Sequence, residues 1–169
     1  MIRPPHIHEI ALLPQIENAA DLRYRMVGLQ CVVDMPAHSL ASLREGWRNR
    51  RLWVATSPLA RPVGFALMAR VGETAWIDQL TVLDRWQGHG FGSALIDRAS
   101  AAAQALGHDR LYLSTYRSVP WNGPFYARRG FEHVPRGTWP RAFRLQFALE
   151  NAAGHPSWLR TIMCRGLSS

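Results

Sequence analysis

The run Gln87-Gly88-His89-Gly90-Phe91-Gly92 sets three glycines in six residues, immediately before an amphipathic helical pattern. A helix that starts just after such a turn presents backbone N–H groups with no intrahelical acceptor, together with the positive end of its dipole. An anion docks there without any cationic side chain. Glycines at 90 and 92 can take backbone angles closed to other residues and leave room for phosphate oxygens to reach the amides. Taken alone, the same run also describes a tight strand-to-helix connection. Two other phosphate loops fit poorly. A P-loop requires Gly-Lys-Ser/Thr, and the sequence contains no Lys among its 20 basic residues. A dinucleotide fingerprint beginning at Gly88 requires Gly or Ala where Ser93 stands, and an acid ending the next strand, where Ser114 and Thr115 stand.

The elements that must position this turn follow from periodicity. Leu13 to Val27 approximates helical spacing, and Ser39 to Arg50 opens on Ser-x-x-Ser before a second helical pattern. Leu52 to Thr56 and Val63 to Val71 read as strands around a Ser57-to-Pro62 turn. A third strand, Ala75 to Leu83, runs into the glycine turn. Ser93 to Leu106 is an amphipathic helix with Gly107 at its expected C-cap. Leu111 to Thr115 is a fourth strand, Trp121 to Arg129 a short helix, Phe131 to Val134 a strand, Arg141 to Asn151 a helix and Ser157 to Arg165 a last strand. This order predicts a mixed α/β (α+β) fold.

With 169 residues, 47% of them hydrophobic, the chain is large enough for one sizeable core and short for two, so 1–169 reads as a single domain. No export signal or membrane-spanning segment is apparent. Cys31 and Cys164 form no Cys-x-x-Cys pair, which points to reduced thiols in a cytoplasm and to no zinc site. The net charge of +8 is scattered along the chain rather than massed in one run, an arrangement that argues against a nucleic-acid partner. A positive surface also helps steer a polyanionic ligand.

The residues resemble the GCN5-related N-acetyltransferase (GNAT) family. Its Arg/Gln-x-x-Gly-x-Gly/Ala hallmark is matched by Gln87, Gly90 and Gly92 between a strand and a helix. Val82-Leu83-Asp84 stands where the family usually has Val-x-Pro. Asn122-Gly-Pro-Phe-Tyr-Ala-Arg-Arg-Gly-Phe131 is similar, with shortened spacing, to the family's Asn-x-x-Ala-x-x-Phe-Tyr-x-x-x-Gly-Phe segment. The matching core runs from about Leu52 to Val134. The resemblance implies a central twisted, mostly antiparallel sheet with helices on both faces, and a splayed cleft between the strands around 75–83 and 111–115. It also implies transfer of an acetyl group from acetyl-CoA, a cosubstrate, to a primary amine by direct attack in a ternary complex. A non-catalytic acyl-CoA-binding or regulatory protein of the same fold is the alternative.

Acetyl transfer from a thioester to an amine needs a neutral nucleophile, stabilisation of the oxyanion and a proton for the leaving thiolate. By resemblance, Tyr126 is the candidate acid. Gln87, Gly88, His89, Gly90, Phe91, Gly92 and Ser93 are the cofactor-binding turn, and Leu80, Thr81 and Val82 are the strand edge whose amides meet the cofactor carbonyls. A backbone N–H near Leu80 is the oxyanion donor. Asn122 contacts the cofactor's pantetheine or phosphate region, while Arg128 and Arg129 either reach its adenosine phosphates or line a solvated helix face. Asp78 lies on the strand face of Leu80 and Val82 by period-two counting, as candidate acceptor of the amine proton. Glu17 and Asp21, one helical turn apart, and Asp34 belong to elements that wall the acceptor side in the family. His6, His8, His38 and His89 show no metal-ligand spacing and receive no site role. The expected partner is a small-molecule or peptide amine, with no membrane, no metal and a homodimer as the candidate assembly.

Overall fold

The computed structural model describes residues 1–167. An edge strand β1 (Ile2–Arg3) leads into a 3-10 stretch, Ile7–Leu12, and then α1 (Leu13–Asp21). Pro14 sits in the first turn of α1, where its missing N–H costs no helical hydrogen bond. The spacing of apolar residues predicts that this helix continues to Val27, but the α-helix stops at Asp21 and Leu22–Val27 is 3-10. None of those six residues is buried, so no packed apolar stripe holds the α-helical period there. A four-residue α2 (Gln30–Val33) and α3 (Leu40–Arg48) follow. Ser39 caps α3, its Oγ accepting from the Ser42 amide at 3.1 Å.

Strands β2 (Leu52–Thr56), β3 (Pro62–Val71) and β4 (Thr74–Val82) come next, then α4 (Phe91–Ala105), β5 (Arg110–Tyr116), α5 (Gly123–Ala127), β6 (Glu132–His133), α6 (Arg141–Ala152) and β7 (Arg160–Gly166). The seven strands are ordered β1-β2-β3-β4-β5-β7-β6. β1 with β2, β2 with β3, and β7 with both β5 and β6 are antiparallel pairs. β4 and β5 pair in parallel, Ala75–Ile77 against Leu111–Leu113, and α4 supplies the crossover that a parallel pair requires. This is the mixed α/β architecture that the order of elements predicts, with the mostly antiparallel sheet that the resemblance implies.

The chain divides into two compact units, Met1–Ala69 with Asp78–Ala102, and Arg70–Ile77 with the residues from Ala103 on. In the first, Leu13 and Ile16 of α1 and Leu43 of α3 pack with Leu52, Val54, Phe65 and Leu67 of the sheet. Trp53, between Leu52 and Val54 in sequence, lies instead beneath the Arg98 guanidinium of α4 at 5.1 Å. Alternate residues of a strand face opposite sides, so helices cover both faces of β2. In the second unit, Trp76, Ile162, Trp139, Phe143 and Phe147 form the core, with the Trp76 and Phe143 rings edge to face at 5.0 Å. Among the described residues no helix is long and apolar enough to cross a membrane.

Candidate active site

Strand β4 ends at Val82, and Asp84–Trp86 makes a single 3-10 turn. Gln87 Nε2 donates to the Val82 carbonyl at 3.0 Å and to Asp84 Oδ1 at 2.9 Å, so the first side chain of the motif fastens the strand end to the turn. Gly88 and Gly90 have φ of 75° and 81°, the left-handed region where a side chain is strained. His89 Nδ1 lies 2.8 Å from the Gln87 carbonyl, and its ring stands edge-on to Trp86 at 5.9 Å. Helix α4 begins at Phe91, two residues earlier than periodicity predicts, so Gly92 is helical. The expectation of special backbone angles therefore holds for Gly90 and fails for Gly92. Because the Ala94 N–H donates to the Gly90 carbonyl at 3.0 Å, the amides of Phe91, Gly92 and Ser93 precede the first closed helical turn and have no intrahelical acceptor. A Cβ built at Gly88 or Gly90 meets no atom within 4 Å, so the space over the turn is open.

The same unit holds a cluster of ionisable groups that the spacing of histidines does not reveal. Glu17 of α1 is only 4% exposed, yet its carboxylate is well supplied with donors. The His38 amide donates to Oε2 at 3.1 Å, and His38 Nδ1 and Gln79 Nε2 reach Oε1 at 2.8 and 2.7 Å. His38 Nε2 continues to Asp78 Oδ2 at 3.2 Å. His38, given no role from sequence, is thus the bridge between Asp78 and Glu17. Burial pushes its imidazole down, but the hydrogen bonds and charges of Asp78 and Glu17 outweigh this and hold it up to about 10. At neutral pH it is an imidazolium that donates from both ring nitrogens. Asp21 is pushed up to about 7, first by burial and then by the charge of Glu17. Asp34 is not part of the cluster; it accepts from Gln30 at 2.8 Å.

Two hydrogen-bonding features of β4 bear on the candidate site. The Leu80 N–H, the candidate oxyanion donor, is taken by Gln79 Oε1 at 2.9 Å. Asp78 and Gln79, neighbours that strict alternation would send to opposite faces, both bond to the Glu17–His38 group. The long Gln79 side chain makes this possible, bonding its own strand at one end and α1 at the other. Thr81 is buried, and Leu80 and Val82 are half-buried. A separate groove of about 820 Å³ in this unit is lined by Leu12, Ile16, Ala19, Arg61, Leu83 and Arg85 among others, and includes none of the Glu17–His38–Asp78 residues.

The second unit carries the Asn122–Phe131 segment. Asn122 immediately precedes α5, and Tyr126 within it is 8% exposed, its ring edge-on to Phe125 at 5.3 Å and Phe131 at 5.6 Å. The Arg129 guanidinium lies over the Phe125 ring at 5.4 Å. A further polar network escaped the sequence reading. Arg160 donates to Ser114 Oγ and Glu150 Oε2, both at 3.0 Å, and its guanidinium stacks on Tyr116. The Tyr116 hydroxyl meets His155 Nδ1 at 2.7 Å. Burial, with the Arg160 charge, pushes the His155 imidazole down to about 4. This network fastens the C-terminal end of α6 and the following loop to β5 and β7. Among the described residues no group of three or more His, Cys, Asp or Glu is arranged to hold a metal ion.

The His38 bridge carries a prediction for stability. A histidine whose folded pKa is raised contributes stability that is complete below the unfolded value near 6.5 and lost as pH rises through about 10. Asp21 acts in a different window: its cost to the folded state grows as pH rises from about 4 to about 7. The melting temperature is therefore expected to fall between pH 7 and 10, and His38→Gln is expected to flatten that fall. The change in stability is on the order of a few kcal/mol. Parallel slopes for both proteins in differential scanning calorimetry would contradict the linkage.

The sheet order and the glycine turn at the head of α4 define a class of fold, that of the acyl-CoA N-acyltransferases. The family model for the acetyltransferase (GNAT) domain matches residues 48–133, from the end of α3 through β6, and the chain belongs to this family. Among solved structures, a GNAT-family acetyltransferase from Staphylococcus aureus Mu50 is similar over 99% of both chains, at 17% identity and a TM-score of 0.73. N-acetylglutamate synthase from Neisseria gonorrhoeae, complexed with coenzyme A and N-acetyl-glutamate, matches all of this chain with 35% of its own length, at 19% identity and a TM-score of 0.72. The PaiA N-acetyltransferase of Thermoplasma acidophilum, in complex with coenzyme A, matches over 98% of both chains at 15% identity and a TM-score of 0.63. At these identities the likeness is one of fold.

Proposed function

We propose that this protein transfers an acetyl group from acetyl-CoA to a primary amine by direct attack in a ternary complex. The observation that carries the reading is the turn itself. Two left-handed glycines with open space where a side chain would stand directly precede the amides of Phe91, Gly92 and Ser93, which have no intrahelical acceptor, and this combination suits a pyrophosphate. Acetyl-CoA, when bound, supplies the activated thioester. In this reading Gln87 through Ser93, with Asn122 and Arg129, hold the cosubstrate. The edge Leu80–Val82 offers backbone amides to its carbonyls once Gln79 releases the Leu80 N–H. Asp78 takes the proton that the attacking amine loses as its C–N bond forms. Tyr126 supplies the proton that the thiolate gains as the C–S bond breaks. In the same reading the protein works in the cytoplasm, with residues 1–169 acting as a single domain.

Two measurements test it. Acetyl-CoA is expected to raise the melting temperature well above the effect of NADH or ATP, because a ligand that binds only the folded state stabilises it by mass action. A panel of primary amines, followed by release of the free CoA thiol, is expected to reveal at least one acceptor. Equal thermal shifts from all three nucleotides would reduce the turn to a generic anion site. Stabilisation by acetyl-CoA with no thiol release for any amine would favour the non-catalytic, acyl-CoA-binding alternative.

A further inference from the structure

We propose that His38 is the positioning residue of the acceptor side: anchored on buried Glu17, its ring fixes the Asp78 carboxylate where the attacking amine delivers its proton. This assignment rests on the acetyl-transfer reading above.

Asp78 lies on β4, within Thr74–Val82. Its side chain is 35% exposed, and a carboxylate so placed is free to rotate unless something holds it. The Nε2–H of His38 holds one oxygen, Oδ2, and leaves Oδ1 for an incoming amine. A bridge positions only as well as it is itself positioned, and His38 is secured twice on Glu17, through its amide to Oε2 and its ring Nδ1 to Oε1. Glu17 in turn is buried on α1 and tied to the strand by Gln79. Asp78, His38, Glu17, Gln79 and the Leu80 amide therefore form a loop of hydrogen bonds that leaves β4 at residue 78 and returns at residue 80. The charged groups that act on His38 are Glu17 and Asp21 from α1 and Asp78 from β4. With both ring nitrogens donating, His38 has no lone pair for the amine proton. It acts through Asp78, and prior immobilisation of a catalytic group is a recognised source of rate.

A double-mutant cycle tests this. His38→Ala is expected to lower turnover of the amine by about tenfold or more, with acetyl-CoA affinity unchanged. In an Asp78→Asn background the same change is expected to cost less than about twofold, because nothing remains to be positioned. His38→Gln, which keeps one donor, is expected to recover part of the loss. The backbone N–H to Glu17 is kept by both Ala and Gln at 38, and the Gln variant serves for the cycle if the Ala variant does not fold. Equal losses in both backgrounds, or no loss in either, overturn the assignment while leaving acetyl transfer standing. A wild-type protein that transfers to no amine overturns the reading and the assignment together.

Discussion

Gly90→Val is expected to abolish acetyl-CoA binding while leaving the protein folded. Gly90 has φ of 81°, which costs a non-glycine residue about 1–2 kcal/mol, and β-branching adds to that strain. That cost alone is within what most domains survive. The second consequence is the specific one. A Cβ at Gly90 meets no protein atom within 4 Å, so the added side chain projects into the open space over the turn that a pyrophosphate needs in order to reach the amides of Phe91, Gly92 and Ser93. Gly107→Ala is the matched control, because Gly107 is also left-handed, at 84°, and also has open space around it, but lies beyond the far end of α4. Calorimetric titration is expected to show no binding by Gly90→Val, weakened binding by Gly90→Ala and unchanged binding by Gly107→Ala. A folded Gly90→Val protein with ordinary affinity would move the phosphate site elsewhere.

The second large effect is expected at Tyr126. Its ring is held by Phe125 and Phe131, so Tyr126→Phe preserves the packing and deletes only the hydroxyl. Loss of a positioned general acid is expected to lower turnover by roughly 10²-fold, with acetyl-CoA affinity near that of the wild type. The thiolate of CoA is a fair leaving group and water is a substitute donor, so a drop of about tenfold still fits a supporting role. Asp78→Asn separates the two proton transfers. Loss of the base is expected to be partly rescued as pH rises and the free amine deprotonates by itself, whereas loss of the acid is not. Turnover by Tyr126→Phe equal to the wild type, measured where chemistry limits the rate, would remove Tyr126 from the mechanism.

Much of this architecture is legible in the sequence because the responsible physics is local. Glycine spacing announces the turn: of the two positions expected to need special backbone angles, 90 and 92, Gly90 takes positive φ, and Gly88 does so as well. The apolar period of α4 and the β-rich runs of β2, β3 and β5 are likewise properties of a few consecutive residues. Local reasoning loses accuracy where burial decides the outcome. Leu22–Val27 has the spacing of a helix but no core to pack on, and Gly92 joins a helix that starts earlier than its apolar stripe.

The Glu17–His38–Asp78 cluster lay beyond such reasoning. His38 stands 21 residues from Glu17 and 40 from Asp78, with no spacing rule linking the three. By sequence, Glu17 and Asp21 are carboxylates one helical turn apart on an element that walls the acceptor side in the family, His38 has no site role, and Asp78 is the candidate acceptor of the amine proton. Only packing of α1 against the sheet buries Glu17, and a buried carboxylate must find donors. The loop before α3 and the side chain of Gln79 supply them, and the His38 ring, once fixed on Glu17, is left facing Asp78. The sequence by itself therefore determined the glycine turn and the family to which the chain belongs. The tertiary structure alone decided which charges meet, because desolvation and hydrogen-bond geometry depend on groups that are distant in the chain and adjacent only when it is folded.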